Sequence, residues 1–328
     1  MNIIILTLIS YGIAIIILAI YQWIAAKRDQ CKYPPIGKLI DIGGYKLHMI
    51  DQGYGSPIVI IDAACGNTTL DWSIVQPEIA KFTRVITYDR AGYGWSDQSP
   101  LERTSENIVK ELHAMLQIAG ISSPYILVGH SLGGLNMQLF ANTYHTEVAG
   151  VVLVASGDEE QFEKMPQVKL PKYIMALYYL GFPRLSQYFP SIKARYNKSV
   201  EKYSLEIQKQ HFAQKSSPKF MKTVLREDAC NKQSCLQLKN APNYLGEKPL
   251  IVISAGKPFT QNESVKLFSQ AQIDQSNKNW SEMQSNLIAK SSQSEEIIAE
   301  NSGHMINYDQ PGIVVDAVRK IIDQLCKK

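Results

Sequence analysis

The pentapeptide Gly129-His130-Ser131-Leu132-Gly133 follows directly on the apolar run Tyr125-Ile126-Leu127-Val128 and precedes a helical pattern. A serine held between a buried strand and a helix occupies a turn so sharp that its own backbone is strained and the helix closes onto the strand. A side chain at either flanking glycine would clash, so both positions lack a Cβ. The expected product is a serine hydroxyl exposed at a helix N-terminus, and the rest of the chain has to be built around that turn.

After Pro34-Pro35, the segment Lys38 to Ile42, the Gly43-Gly44 turn and Tyr45 to Ile50 read as a hairpin. Short apolar runs then alternate with helical patterns: Pro57 to Ile61, Arg84 to Tyr88, Tyr125 to Val128, Gly150 to Val154, Leu250 to Ser254 and Glu296 to Ala299. Strands covered on both faces by crossover helices read this way and form a mostly parallel sheet. Thr104 or Ser105 caps one such helix, whose Ile108, Val109, Leu112, Met115 and Leu116 recur at helical spacing before Gly120 ends it. His113 on that helix needs no function.

The sheet pattern stops between residues 161 and 248, a stretch rich in Lys, Gln and aromatics without a strand-like run. It reads as a helical cap inserted between two strands, with most of Tyr173, Tyr178, Tyr179, Phe182, Tyr188 and Phe189 forming the cap's own core and a minority lining a substrate pocket or touching lipid. A chain of 328 residues that is 45% hydrophobic can bury one large α/β core, here 37–160 with 249–328.

Residues 2–26 carry no charged side chain and are long enough to cross a bilayer as a helix, with Tyr21 and Trp23 where an interfacial aromatic belt would lie. A cleaved signal peptide fits less well: there is no basic leading region, the apolar part is too long and no small-residue cleavage site follows. The expectation is a single-pass anchor over 1–26 and a linker over 27–36. Lys27, Arg28, Lys32 and Lys38 against Asp29 supply most of the net charge of +4. The sequence pI of 8.6 therefore reflects this flank, which the positive-inside rule places in the cytoplasm together with the globular part. No basic stripe with interleaved aromatics suggests nucleic acid. Cys230 and Cys235 lie close together in what reads as a polar loop, where a short disulfide could form in an oxidising compartment; five unpaired thiols in a reducing one are as consistent. No spacing suggests a metal site.

In an open parallel sheet, reactive groups collect at the carboxyl ends of strands. Ser131, the segment Asp62 to Gly66, Asp158 to Glu160 and His304 in Asn301-Ser302-Gly303-His304 all fall there. With these pieces the chain resembles the α/β-hydrolase family from Gly37 onward, apart from the cap. The resemblance rests on Trp72 after the Gly66 loop, on Tyr88-Asp89-Arg90-Ala91-Gly92-Tyr93-Gly94-Trp95-Ser96-Asp97, on the turn at Ser131, and on Ser302-Gly303-His304 followed by Asp309-Gln310-Pro311 and an amphipathic last helix.

The resemblance implies an α/β-hydrolase fold in which Ser131 is the nucleophile and His304 its general base, with His130 a supporting residue and Asp89 holding its glycine-rich turn. It implies an oxyanion hole made by the backbone N–H of Leu132 and by that of Ala64 or Cys65, although Asp62-Ala63-Ala64-Cys65-Gly66 departs from the usual His-Gly. Cys65 itself reads as a small buried residue beside the pocket rather than a nucleophile. The triad acid is sought at Glu159, then Asp158, then Glu263, because no carboxylate directly follows Ser254; a solvated acidic run is the competing reading of 158–160. The implied activity is a membrane-anchored serine hydrolase that cleaves a small-molecule ester or a lipid through an acyl-enzyme, with no cofactor. Hydrolysis of an amide, thioester or C–C bond, or a tethered binding protein whose site has decayed, are the alternatives.

Overall fold

The computed structural model describes residues 3–167, 170–243, 245–260 and 268–327. It opens with a long apolar helix, α1 (Ile3–Lys32), which runs past the apolar stretch into its basic flank. β1 (Lys38–Asp41) and β2 (Lys46–Gln52) form the expected hairpin, with Asp41 Oδ1 accepting the N–H groups of Gly43 and Gly44 in the turn. β3 (Ile58–Asp62), α2 (Gln76–Ile79), β4 (Val85–Tyr88), α3 (Ser105–Ile118), β5 (Tyr125–His130), α4 (Leu132–Thr143) and β6 (Val148–Val154) follow in strict alternation. Thr104 caps α3 by accepting from the Asn107 N–H.

The strands assemble in the order β1-β2-β4-β3-β5-β6, completed by β7 (Leu250–Ala255) and β8 (Ser294–Ala299). Only the β1–β2 and β2–β4 pairs are antiparallel; from β4 to β8 every pair is parallel. The parallel strands β3 to β7 bury both faces, while the edge strand β8 is partly exposed, and the side-chain period of two sorts the buried ones cleanly. Ile60, Leu127, Val151 and Val252 pack with Leu112, Met115 and Phe140 of α3 and α4. Their neighbours Ile61, Val128, Val152 and Ile251 pack on the opposite face with Trp72 and with Val314, Val318 and Ile321.

Between β6 and β7 the described chain is helical: α5 (Gln161–Lys164), α6 (Ile174–Tyr179), α7 (Phe182–Leu185), α8 (Pro190–Val200), α9 (Leu205–Lys215) and α10 (Pro218–Asn240). After β7 come α11 (Gln270–Ile288), β8, α12 (Ile306–Asp309) and α13 (Pro311–Cys326). Two expectations about the insertion are corrected. Its aromatics do not mostly form a core: Tyr173, Tyr179, Phe182, Tyr188 and Phe189 are exposed, and Tyr178 packs near Tyr93 and Phe220. Cys230 and Cys235 lie in no loop but on α10, and both are free thiols. Five positions apart on a helix, their side chains leave from different faces, out of reach of a disulfide.

Candidate active site

Ser131 joins β5 to α4 with φ 54° and ψ −118°, a conformation that side chains avoid unless their surroundings enforce it. The enforcement is visible. The Ser131 N–H donates to Val154 O on the neighbouring strand at 3.1 Å, and its carbonyl accepts from the Gly134 N–H at 2.9 Å. A Cβ on Gly129 would collide with the backbone of Gly133 and Gly134, and one on Gly133 with the carbonyls of Asp62 and Ala63. The two glycines thus bring the start of α4 against the end of β3.

The loop after β8 carries His304. Asp309 Oδ2 accepts from Ser302 Oγ at 3.0 Å and from the Gly303 N–H at 3.3 Å, while Gln310 Oε1 accepts from the Asn301 N–H. The next link comes from the residue beside Ser131: His130 Nε2 donates to the His304 carbonyl at 2.8 Å. A carbonyl only accepts, so the proton of neutral His130 is on Nε2. The two rings stand 4.9 Å apart, and Trp280 meets His304 edge-on at 5.7 Å. Burial lowers the His304 pKa to about 4; burial, with His304 as neighbouring charge, lowers His130 to about 3. His304 keeps some accessible surface although protein surrounds it densely, as expected of a group in the wall of a recess. Among the described residues no hydrogen bond joins Ser131 Oγ to the His304 ring.

The loop after β3 is fixed from behind. Buried Arg90 donates to Asp62 Oδ1, to the carbonyls of Ala63 and Ala64, and through Nε and Nη2 to both carboxylate oxygens of Glu227 on α10, at 2.7 and 3.0 Å. Tyr93 Oη donates to Glu227 at 2.8 Å and accepts the Gly66 N–H at 3.1 Å. In a trans peptide the N–H points opposite to the carbonyl. With the Ala64 carbonyl turned to Arg90, the Cys65 N–H faces away from it. Leu132 is the first residue of α4, so its N–H has no partner within the helix. Cys65 is exposed rather than buried as expected, yet the protein packed around its thiol, with Glu227 adding to it, pushes the thiol up to about 12. Arg90 and Glu227 were missed from the sequence; the available signal was an arginine beside a buried strand end, since a buried guanidinium needs a carboxylate.

No carboxylate of the described residues hydrogen-bonds to His304 Nδ1, which is buried and unpartnered. Glu159 is not brought to it: its carboxylate pairs with Lys290, and although burial would raise its pKa, Lys290 holds it below the usual range. Asp158 is buried with Oδ1 on the Glu160 N–H, and its pKa is raised, first by burial. Glu263 lies outside the described residues. A cavity of about 210 Å³ is lined by His304 together with Ser254, Lys257, Phe259, Trp280 and Glu296, and there Glu296 accepts from Ser254 Oγ at 2.6 Å.

Two other buried His–Asp pairs have structural geometry. His48 Nδ1 meets Asp89 at 2.8 Å, but its Nε2 accepts the Gly37 N–H, so no lone pair is left for a substrate. Asp89 also takes the N–H groups of Thr69 and Trp95, which agrees with the expected role in holding its turn. His211 of α9 bridges Asp71 and Tyr196, clamping the insertion to the short helix at Trp72.

A family model described as alpha/beta hydrolase fold matches residues 56–311. The Bacillus subtilis (strain 168) protein YqjL is 26% identical over 279 residues, covering 84% of this chain and 88% of that protein. Among solved structures, the epoxide hydrolase CorEH superposes with a TM-score of 0.62 at 16% identity, covering 88% of this chain and 98% of the other. The enol-lactonase from Burkholderia xenovorans LB400 does so with 0.59 at 16%, covering 87% and 100%.

Proposed function

The chain belongs to the α/β-hydrolase family, and from that membership we propose a membrane-anchored serine hydrolase that cleaves carboxylic esters through an acyl-enzyme. The observation that carries the reading is the strained Ser131 at the N-terminus of α4, adjacent in the chain to His130, whose ring holds the backbone of His304.

In this reading Ser131 Oγ attacks the ester carbonyl while His304 Nε2 takes its proton. That contact tightens when substrate is bound, as is common for catalytic hydrogen bonds that are open in the free enzyme. The oxyanion forms against the N–H groups of Leu132 and Cys65, with the positive end of α4 adding to the field. His304 then returns its proton to the departing alcohol. Water, deprotonated by the same nitrogen, attacks the acyl-enzyme, and as the second tetrahedral adduct collapses His304 returns that proton to Ser131 Oγ, freeing the serine and the acid. The lowered pKa keeps His304 unprotonated, and so available to accept a proton, throughout the physiological range, while making it a weaker base than an ordinary imidazole.

The anchor is α1. Its 30 residues span about 45 Å at 1.5 Å per residue, more than the ~30 Å hydrocarbon layer, and its most apolar window packs against nothing in the protein. Lys27, Arg28 and Lys32 at its end favour the cytoplasmic side for the catalytic part. An apolar ester or lipid fits an enzyme held at a bilayer. A panel of short- and long-chain p-nitrophenyl esters tests the reading: turnover by the full chain and its loss in Ser131→Ala are expected, and turnover of none contradicts ester hydrolysis.

A further inference from the structure

Between Met165 and Val200 the sequence holds six basic residues, Lys169, Lys172, Arg184, Lys193, Arg195 and Lys198, and no acidic one. The same stretch carries the aromatics that fail to form a core. Tyr188 is 80% exposed, Tyr173 64%, Phe189 61% and Tyr179 54%. Exposed aromatics in a basic stretch, whose cations among the described residues, apart from Arg184, have no ion-pair partner there, suit neither a protein interior nor open water; they suit the boundary of an anionic bilayer, where rings enter the acyl edge and cations meet phosphates.

The position of this stretch relative to α1 supports the same conclusion. Gln22 is buried against the insertion: its Nε2 donates to Ser216 O at 3.1 Å and its Oε1 accepts from Arg184 Nε at 3.0 Å. Arg184 also pairs with Asp29 one to two turns further on, at 2.6 Å. Gly181, in the corner between α6 and α7, lies against Tyr21 and Gln22 so closely that a Cβ there would touch both side chains. The α6–α7 corner therefore meets α1 inside its apolar stretch, five residues before Lys27, or about 7 Å along the axis. Interfacial helices lie at about 5–10 Å depth.

We propose that α6, α7 and the start of α8 form a second membrane-contact surface, lying in the interface of an anionic leaflet beside α1. The proposal rests on reading α1 as a membrane helix. It makes this part of the insertion an interfacial element rather than a lid hanging in solvent.

The test uses the unaltered full-length chain in phosphatidylcholine vesicles, with and without phosphatidylglycerol, doped with a phospholipid bearing a diazirine on its acyl chain near the glycerol. After photolysis, adducts are mapped by mass spectrometry. The expected result is labelling both within 3–24 and within 173–192, none at Tyr54, and a rise of about threefold or more in the second segment's yield with anionic lipid. Labelling of 3–24 alone overturns the second surface and leaves the anchor standing. A yield at 173–192 indifferent to anionic lipid overturns the assignment of an anionic partner. Labelling of neither segment overturns the anchor, and the inference with it.

Discussion

His130 and His304 are 174 residues apart in the chain, yet the ring of one holds the backbone of the other: His130 Nε2 donates to the His304 carbonyl at 2.8 Å. The residue next to the proposed nucleophile thereby sets the height of the loop that carries the proposed base. Replacing His130 with Ala should lower kcat by on the order of tenfold to a hundredfold with little change in KM, because a displacement of about 1 Å in a reacting group costs that much. His130→Gln keeps a donor and should recover part of the loss. Equal activity in all three proteins would detach His130 from the site.

The pH profile follows from burial. A general base works unprotonated, so activity persists above its pKa and is lost below it. With His304 lowered to about 4, the acid limb of kcat/KM should fall near pH 4 rather than near the ordinary 6.5. A limb close to 7 would mean that a carboxylate engages Nδ1 in the working enzyme. Stability moves in the same direction. The unfolded chain takes up protons on both histidines below 6.5 that the folded chain refuses until about 4 for His304 and about 3 for His130. The melting temperature should therefore drop as pH is lowered through that window.

Arg90 and Glu227 tie the loop after β3 to α10 within the protein interior. Glu227→Ala leaves a buried guanidinium half paired and should cost about 3–5 kcal/mol in urea unfolding. Glu227→Gln, which keeps an acceptor for Arg90, should cost less and still reduce turnover if the network sets the Cys65 N–H. An unfolding midpoint for Glu227→Ala equal to that of the unaltered chain would contradict the network.

Glu159 pairs with Lys290 and not with His304. Glu159→Gln should leave turnover within about twofold and stability within about 1 kcal/mol, the usual range of partly exposed ion pairs. A loss of a hundredfold or more would return Glu159 to the role first sought for it.

What could be read from the chain was whatever has a local period. Six strands, the hairpin and the α3 cap follow from alternation, from Gly43-Gly44 and from Thr104, and the turn at Ser131 from its two glycines. Pairings between distant charges have no local signature: Arg90 finds Glu227 across 137 residues, and His48 finds Asp89 across 41. With no carboxylate directly after Ser254, 158–160 is where the sequence offers an acid, but nothing in the sequence shows that Lys290 pairs with Glu159. In α10, polar residues on the exposed face hid a helix whose buried side holds Phe220, Met221, Cys235 and Leu238, so Cys230 and Cys235 read as a loop. Composition alone does not tell the aromatics of a core from those of a surface; the stretch without acids around Tyr173 to Phe189 is the signal that fits a bilayer surface better than a core.

The central claim is that Ser131 is a nucleophile activated in a recess, and labelling with a fluorophosphonate probe tests it most directly. The full-length chain in vesicles should be labelled on Ser131, with loss of labelling in Ser131→Ala and strong reduction in His304→Ala. An unlabelled wild-type chain, or labelling that persists in Ser131→Ala, would contradict it.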